Sequence, residues 1–294
     1  MKKILVILSV VATLSFNLNV NSVNAQESII LDNASMRSEI LQMDRKYAIY
    51  LPPGYDSSSR RYPVLYLLHG AGDDQTGWVQ FGEVQAIADK AIKENSATPM
   101  IIVMPDAKSV RQGYFNDING TYRYEDYFFN ELIPYIEKNY RVRAEKEFRA
   151  VAGLSMGGGG SFIYALHHPE MFSSACPLSA GIRSTDPEVA AKQEVEKNSN
   201  ISMETALKYY QSYQAHWLIN NATDAQKKAY SSVRWYIDCG DDDFLYEGNS
   251  LIHIEMRKKE IPHEYRVRDG GHTWSYWRSA LPTVLEFVSK SFHR

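Results

Sequence analysis

Along this chain, near-continuous apolar runs alternate with stretches whose apolar residues return every three or four positions. Residues 62–68 (YPVLYLL), 100–104, 148–152, 172–178 and 233–239 are runs of the first kind. That pattern predicts strands buried on both faces. Residues 46–51 read as an extended segment stopped by Pro52-Pro53-Gly54, and 265–267 as a short last strand. Between them, 84–91 sets Val84, Ile87, Ala88 and Ala91 on one helical stripe. Residues 125–140 space Phe128, Leu132, Ile136 and Tyr140 four apart, and Pro134 inside that stretch predicts a kink or a late start. Residues 156–167, 249–260 and 274–292 complete the predicted helices, with Pro169 stopping the first. Strands and helices in alternation imply an α/β fold with a mainly parallel sheet covered on both faces. Residues 183–232 break the rhythm. They are polar, helix-compatible and too long for a plain connection, so a helical insertion is expected there.

Composition narrows the class without changing it. Of the 294 residues, 44% are hydrophobic and 23% charged, and the net charge is −3. These are the proportions of a globular protein. No clustered basic excess suggests a nucleic-acid partner. Residues 1–25 join a basic start (Lys2, Lys3) to an apolar core over 4–11 and to Val23-Asn24-Ala25, a small-x-small site. This predicts a signal peptide cleaved after Ala25, because the apolar run is too short to span a bilayer. Export and no stable membrane insertion follow as expectations. With no Pro/Ser/Gly-rich linker, 26–294 reads as one domain. Cys176 and Cys239 both sit in apolar strand-like runs, which favours buried free thiols over a disulfide.

Three loops carry candidate chemistry. Gly153-Leu154-Ser155-Met156-Gly157 follows a predicted strand and opens a predicted helix. In that context a G-x-S-x-G turn projects a nucleophilic Ser. A phosphate loop of the Walker type would need a Lys before the Ser, and none is there. A Ser hydroxyl needs a base, which should follow a late strand. His272, in Asp269-Gly270-Gly271-His272-Thr273-Trp274, has that position; His167 and His168 end the helix after Ser155, and His216, His253, His263 and His293 lack a strand-end context. The acid should follow the 233–239 strand, where Asp241, Asp242 and Asp243 stand in a row. Two backbone N–H groups should form an oxyanion hole, one from Met156 and one from Ala71 in His69-Gly70-Ala71-Gly72. His69 itself is expected to orient that loop. No metal or cofactor is expected.

Taken together, these residues resemble one family of α/β-hydrolases: the esterase D and feruloyl esterase group, or carbohydrate esterase family 1. The pieces are 62–72 with Gly77-Trp78, Met104-Pro105-Asp106, Tyr124-Glu125-Asp126-Tyr127, Glu131-Leu132-Ile133-Pro134, Gly153–Gly158 and Gly270–Trp274. The resemblance implies Ser155 and His272 as nucleophile and base, and Asp243, three residues after Gly240, as the acid. Ala71 departs from the family, which more often has Gly or a larger residue there. The family also implies a serine carboxylic-ester hydrolase, here releasing feruloyl or acetyl groups from plant polysaccharide (xylan) esters. Transfer of the acyl group to a sugar alcohol, as in mycolyltransferases, and a general short-chain esterase are the alternatives. Aromatic residues gather on the predicted site loops, and Trp78, Tyr114 and Trp274 are expected to touch substrate. Tyr209, Tyr210, Tyr213 and Trp217 of the insertion could line a pocket.

Overall fold

The computed structural model describes residues 27–108, 113–182 and 186–292, so the expected leader lies outside the described residues. The chain opens with strands β1 (Ile29–Ser38), β2 (Met43–Leu51) and β3 (Val64–Leu68), followed by a single turn α1 (Gly77–Gln80), helix α2 (Val84–Lys93) and strand β4 (Ile101–Pro105). Next come α3 (Tyr124–Tyr127) and α4 (Ile133–Asn139), then β5 (Arg149–Leu154), α5 (Met156–His167) and β6 (Ser174–Leu178). Four helices follow: α6 (Pro187–Lys197), α7 (Met203–Ser212), α8 (Ala215–Asn220) and α9 (Asp224–Tyr230). Strand β7 (Arg234–Gly240), helix α10 (Tyr246–Lys258), strand β8 (Glu264–Arg268) and helix α11 (Trp274–Phe292) complete the order.

The strands form one sheet in the order β1-β2-β4-β3-β5-β6-β7-β8. From β4 to β8 the pairs are parallel, and β1 and β2 are antiparallel additions at one edge. Side chains alternate between the two faces, as the pleat requires. Val64, Tyr66 and Leu68 of β3 join Phe128, Phe162 and Ile252 under α5 and α10. Leu65 and Leu67 join Ala88, Leu281 and Val288 under α2 and α11. Two cores flank the sheet, which is why the central strands are apolar on both faces over most of their length.

Two local departures have physical causes. The 125–140 stretch is not one regular helix: a π-helical turn over Phe128–Leu132 separates α3 from α4. Pro134 then falls in the first turn of α4, directly after the π-helical turn. Strand β1 was not expected at all. It is an edge strand with a register shift between Leu31 and Ala34, and half of its residues are exposed. In the insertion, Asp186, Ser202 and Thr223 each cap a helix with a side-chain oxygen, the last in a reciprocal pair with Gln226.

Candidate active site

Ser155 is the single residue between β5 and α5, and its backbone sits at φ 54°, ψ −116°. A non-glycine residue in such a conformation costs on the order of 1–3 kcal/mol and persists only where neighbours fix it. Here its N–H donates to the Leu178 carbonyl at 3.0 Å, and its own carbonyl accepts from Gly159 and Gly181 at 3.0 and 2.8 Å. Gly157 is required by close approach, since a Cβ there would lie 2.6 Å from the His69 carbonyl oxygen. A Cβ on Gly70 would sit 2.7 Å from Leu154 Cδ1 and 3.5 Å from Ser155 Cβ. The loop after β3 is thus pressed against the serine.

His272, on the loop between β8 and α11, brings Nε2 to 2.9 Å from Ser155 Oγ. Its Nδ1 lies 2.9 and 3.1 Å from the two carboxylate oxygens of Asp243. Asp243 is 1% exposed, and its carboxylate also accepts the Leu245 N–H at 2.9 Å. A carboxylate only accepts, so Nδ1 carries the proton and Nε2 is left with its lone pair towards the serine hydroxyl. Phe244 and Trp277 pack against the imidazole at 4.5 and 4.9 Å between ring centres. Asp241 and Asp242 face solvent instead. Asp241 accepts N–H bonds from Gly270 and Asp242, at 3.0 and 3.1 Å, and so ties the β7 loop to the His272 loop. With Asp269, these two exposed residues bring three carboxylates together, with no His or Cys among them.

Met156 begins α5, so its N–H is among those a helix start leaves without a helical partner. Ala71 follows the Gly70 contact just described, in an exposed turn. The loop that carries Ala71 is held by His69, which is 2% exposed. Its Nε2 accepts the Ala107 N–H at 2.9 Å, so Nδ1 is the donor, to the Gly70 carbonyl at 2.8 Å. Burial holds this imidazole below the usual histidine range, in keeping with a neutral ring. His69 therefore fixes the backbone that carries Ala71.

Two of the three expected substrate contacts are corrected. Trp78 is 0% exposed and donates its indole N–H to the Leu68 carbonyl at 3.0 Å, underneath the site. Tyr114 is buried as well, and its hydroxyl accepts the His69 N–H at 2.7 Å. Both brace the strand end that leads into the oxyanion loop, and neither has surface to offer a ligand. Trp274 is half-buried, stacked edge-on against Trp78 and Trp277. A small cleft lies between α5 and the insertion, bounded by Phe115, Gly159, Gly181, Tyr209, Tyr213 and Gln214. Tyr210 also lines it, whereas Trp217 borders a different depression beside His216 and Asn220. Gly159 and Gly181, which line the cleft, are the residues bonded to the Ser155 carbonyl, while Ser155 and His272 do not themselves line it.

Several supporting residues carried no motif. Asp238 is fully buried on β7 and accepts from Tyr236, Tyr276 and Arg268, tying β7 to β8 and α11 beneath His272. Asn249 is likewise buried and clamps the Ala180 N–H and carbonyl at 3.2 and 3.0 Å. An Asp inside an apolar strand is the one signal that could have singled out Asp238.

The Esterase family model ("Putative esterase") matches residues 38–288. An endo-1,4-beta-xylanase/feruloyl esterase of Xylanibacter ruminicola is 39% identical over 144 residues, which are 45% of this chain and 19% of that protein. An esterase of Mycobacterium tuberculosis is 40% identical over 131 residues, 43% of this chain and 27% of that protein. These alignments thus span about a fifth to a quarter of the curated relatives' lengths. A solved structure of a ferulic acid esterase is 35% identical, with a TM-score of 0.80, covering 90% of this chain and 99% of that one. With the family model running from the end of β1 to the last turns of α11, the chain belongs to this esterase family and has the α/β-hydrolase fold.

Proposed function

We propose that this protein is an exported serine carboxylic-ester hydrolase that releases aromatic acyl groups of the feruloyl type, ahead of acetyl groups, from plant polysaccharide esters. The observation that carries the chemistry is the hydrogen-bonded series Asp243–His272–Ser155, with 2.9 Å at each junction. His272 Nε2 takes the Ser155 proton as Oγ attacks the ester carbonyl. The oxyanion is met by the N–H groups of Met156 and Ala71. His272 then gives the proton to the departing alcohol, leaving an acyl-serine. Water, deprotonated by the same imidazole, frees the acid and restores the hydroxyl.

The acyl preference rests on the cleft. Gly159 lies one helical turn from Ser155 and Ile163 two turns, and each turn rises about 5.4 Å. An acetyl group is too short to use that wall. An aryl-propenoyl group reaches it and finds Phe115, Tyr209 and Tyr213 as ring partners. The xylanase/feruloyl esterase and ferulic acid esterase among the relatives point the same way. The basic-then-apolar leader over 1–25 supports export.

One panel tests the reading: methyl ferulate, acetylated xylan, a 4-nitrophenyl acetate and a peptide amide, on one preparation. The expected result is a higher kcat/KM on methyl ferulate than on the acetates, and none on the amide. Equal or lower activity on methyl ferulate removes the feruloyl preference. Product formation that requires an added sugar alcohol would favour an acyltransferase. Loss of less than about 10³-fold in Ser155→Ala would overturn the mechanism, because members of such a triad act as a unit.

A further inference from the structure

His167 closes α5, twelve residues after the helix leaves the nucleophile turn. The sequence pattern gave it no role, yet it is the centre of a buried polar cluster. Its Nδ1 lies 2.7 Å from Glu125 Oε1, and its Nε2 lies 2.9 Å from the Ser212 carbonyl oxygen. The other Glu125 oxygen accepts the Tyr213 hydroxyl at 2.7 Å. Glu125 is 5% exposed. Glu125 belongs to α3 and His167 to α5, both in the hydrolase core, whereas Ser212 and Tyr213 end α7 of the insertion. Tyr213 in turn packs on Phe115 and Tyr209 at 4.8 and 5.0 Å between ring centres, and all three rings bound the cleft.

We propose that His167 and Glu125 are positioning residues: a latch that holds the aromatic wall of the acyl cleft, closed when His167 carries both ring protons and loosened when it loses one. The proposal rests on the cleft being the acyl site. A carbonyl oxygen and a carboxylate oxygen can only accept, so an imidazole that bonds both must donate from both nitrogens. A neutral imidazole has one N–H. Protonated on Nδ1 it keeps Glu125 but gives up the Ser212 carbonyl, leaving its Nε2 lone pair only the more distant Ser212 hydroxyl at 3.4 Å; protonated on Nε2 it keeps the carbonyl and turns a lone pair towards the carboxylate.

The groups facing the pair are few. His168 Nε2 lies 3.9 Å from Glu125 Oε1, and its Nδ1 is turned to Glu170 at 3.3 Å. Tyr213 comes from α7 and Tyr164 from α5, and burial raises both phenols out of the physiological range. On α3, Asp126 is engaged with Arg123. Burial by itself would lower the imidazole of His167, but the Glu125 carboxylate and the Ser212 carbonyl outweigh it and raise its affinity for the proton. For a group raised on folding, the stabilisation is fully present below the ordinary histidine value of about 6.5 and fades as pH climbs through the raised one. The latch is therefore closed below about pH 6.5 and opens as pH climbs through the raised value.

The test compares KM for methyl ferulate with that for 4-nitrophenyl acetate between about pH 6 and 9, which brackets the histidine range. The ratio cancels any pH effect on the catalytic groups that both esters share. In the wild type the aromatic KM should rise relative to the acetate KM on the alkaline limb. Amide hydrogen exchange over Met203–Ser212 should quicken over the same range. Losing one charge-assisted bond corresponds to roughly tenfold in that KM ratio. His167→Gln should show the loosened ratio at every pH, with kcat on the acetate within about twofold. Tyr213→Phe removes one hydroxyl only, and should give a smaller effect of the same kind if the histidine variant fails to fold. A pH-independent ratio with constant exchange over α7 overturns the latch while leaving the esterase reading intact. No turnover of methyl ferulate, with exchange still quickening on the alkaline limb, overturns the feruloyl reading and upholds the latch.

Discussion

At Asp243 the carboxylate is withdrawn from water and spends both oxygens on His272 and Leu245, while the two acids before it in the sequence remain solvated. Asp243→Asn should therefore lower kcat by roughly 10²- to 10⁴-fold through loss of the correct imidazole tautomer. Asp241→Asn and Asp242→Asn should change it little, and a set of three kcat measurements decides. If Asp241→Asn proves the most damaging, the link from Asp241 to Gly270 matters more than the ring contact. Trp78→Phe makes the opposite kind of prediction. It removes a buried indole hydrogen bond to Leu68, so the denaturation midpoint should drop by an equivalent of about 1–3 kcal/mol while KM stays put. A raised KM with unchanged stability would return Trp78 to the substrate. The serine, the histidine and the three-Asp run were legible because each sits where a strand stops, and that context is written in local sequence. Which Asp reaches the imidazole rested on family resemblance and on the apolar Phe244-Leu245 that follows Asp243, since the turn geometry after Gly240 is not a matter of composition. Trp78 and Tyr114 misled because aromatic residues near site loops serve equally well as bracing beneath them, and burial is settled by distant strands.

The strand and helix pattern translated well at the level of elements because parallel strands buried on both faces leave an unmistakable apolar signature. β1 left none, being an edge strand with half of its residues exposed. The π-helical turn before Pro134 was announced only as an irregularity. The insertion was legible as helical but not in what its aromatics touch: Tyr209, Tyr210 and Tyr213 reach the cleft, and Trp217 does not. A polar feature of that cleft is more specific. Gln214, between α7 and α8, is 3% exposed and its side-chain N–H₂ has no hydrogen-bond partner among the described residues. An unmet buried donor is unfavourable by about 1–3 kcal/mol, and a ligand oxygen relieves it. Gln214→Leu should therefore lower the preference for hydroxylated over unsubstituted cinnamate esters by roughly 5- to 10-fold in kcat/KM, with acetate hydrolysis preserved. Equal loss on both cinnamates would mean that the amide only supports α8.

Across the whole molecule, the single sheet does two jobs: its C-terminal edge gathers Ser155, Asp243 and His272 from three separate loops, and its interior supplies both cores. Cys176 and Cys239 sit in that interior, on the adjacent strands β6 and β7, unpaired and at most 1% exposed. Burial pushes the Cys239 thiol up to about 12 and that of Cys176 higher still, so neither is a ready nucleophile in the folded protein. These thiols amount to an internal clock for the opening of the sheet. A maleimide or a disulfide reagent can label them only when β6 and β7 part from their neighbours, so labelling should be slow in the native enzyme and should track global unfolding rather than loop motion. Adding denaturant should accelerate both cysteines together, with the steep dependence of a cooperative transition. If one thiol instead reacts promptly under native conditions, the sheet opens locally at that strand. In an oxidising compartment the same seclusion spares the chain from cross-linking for as long as it stays folded, and leaves it exposed to wrong pairing while it folds.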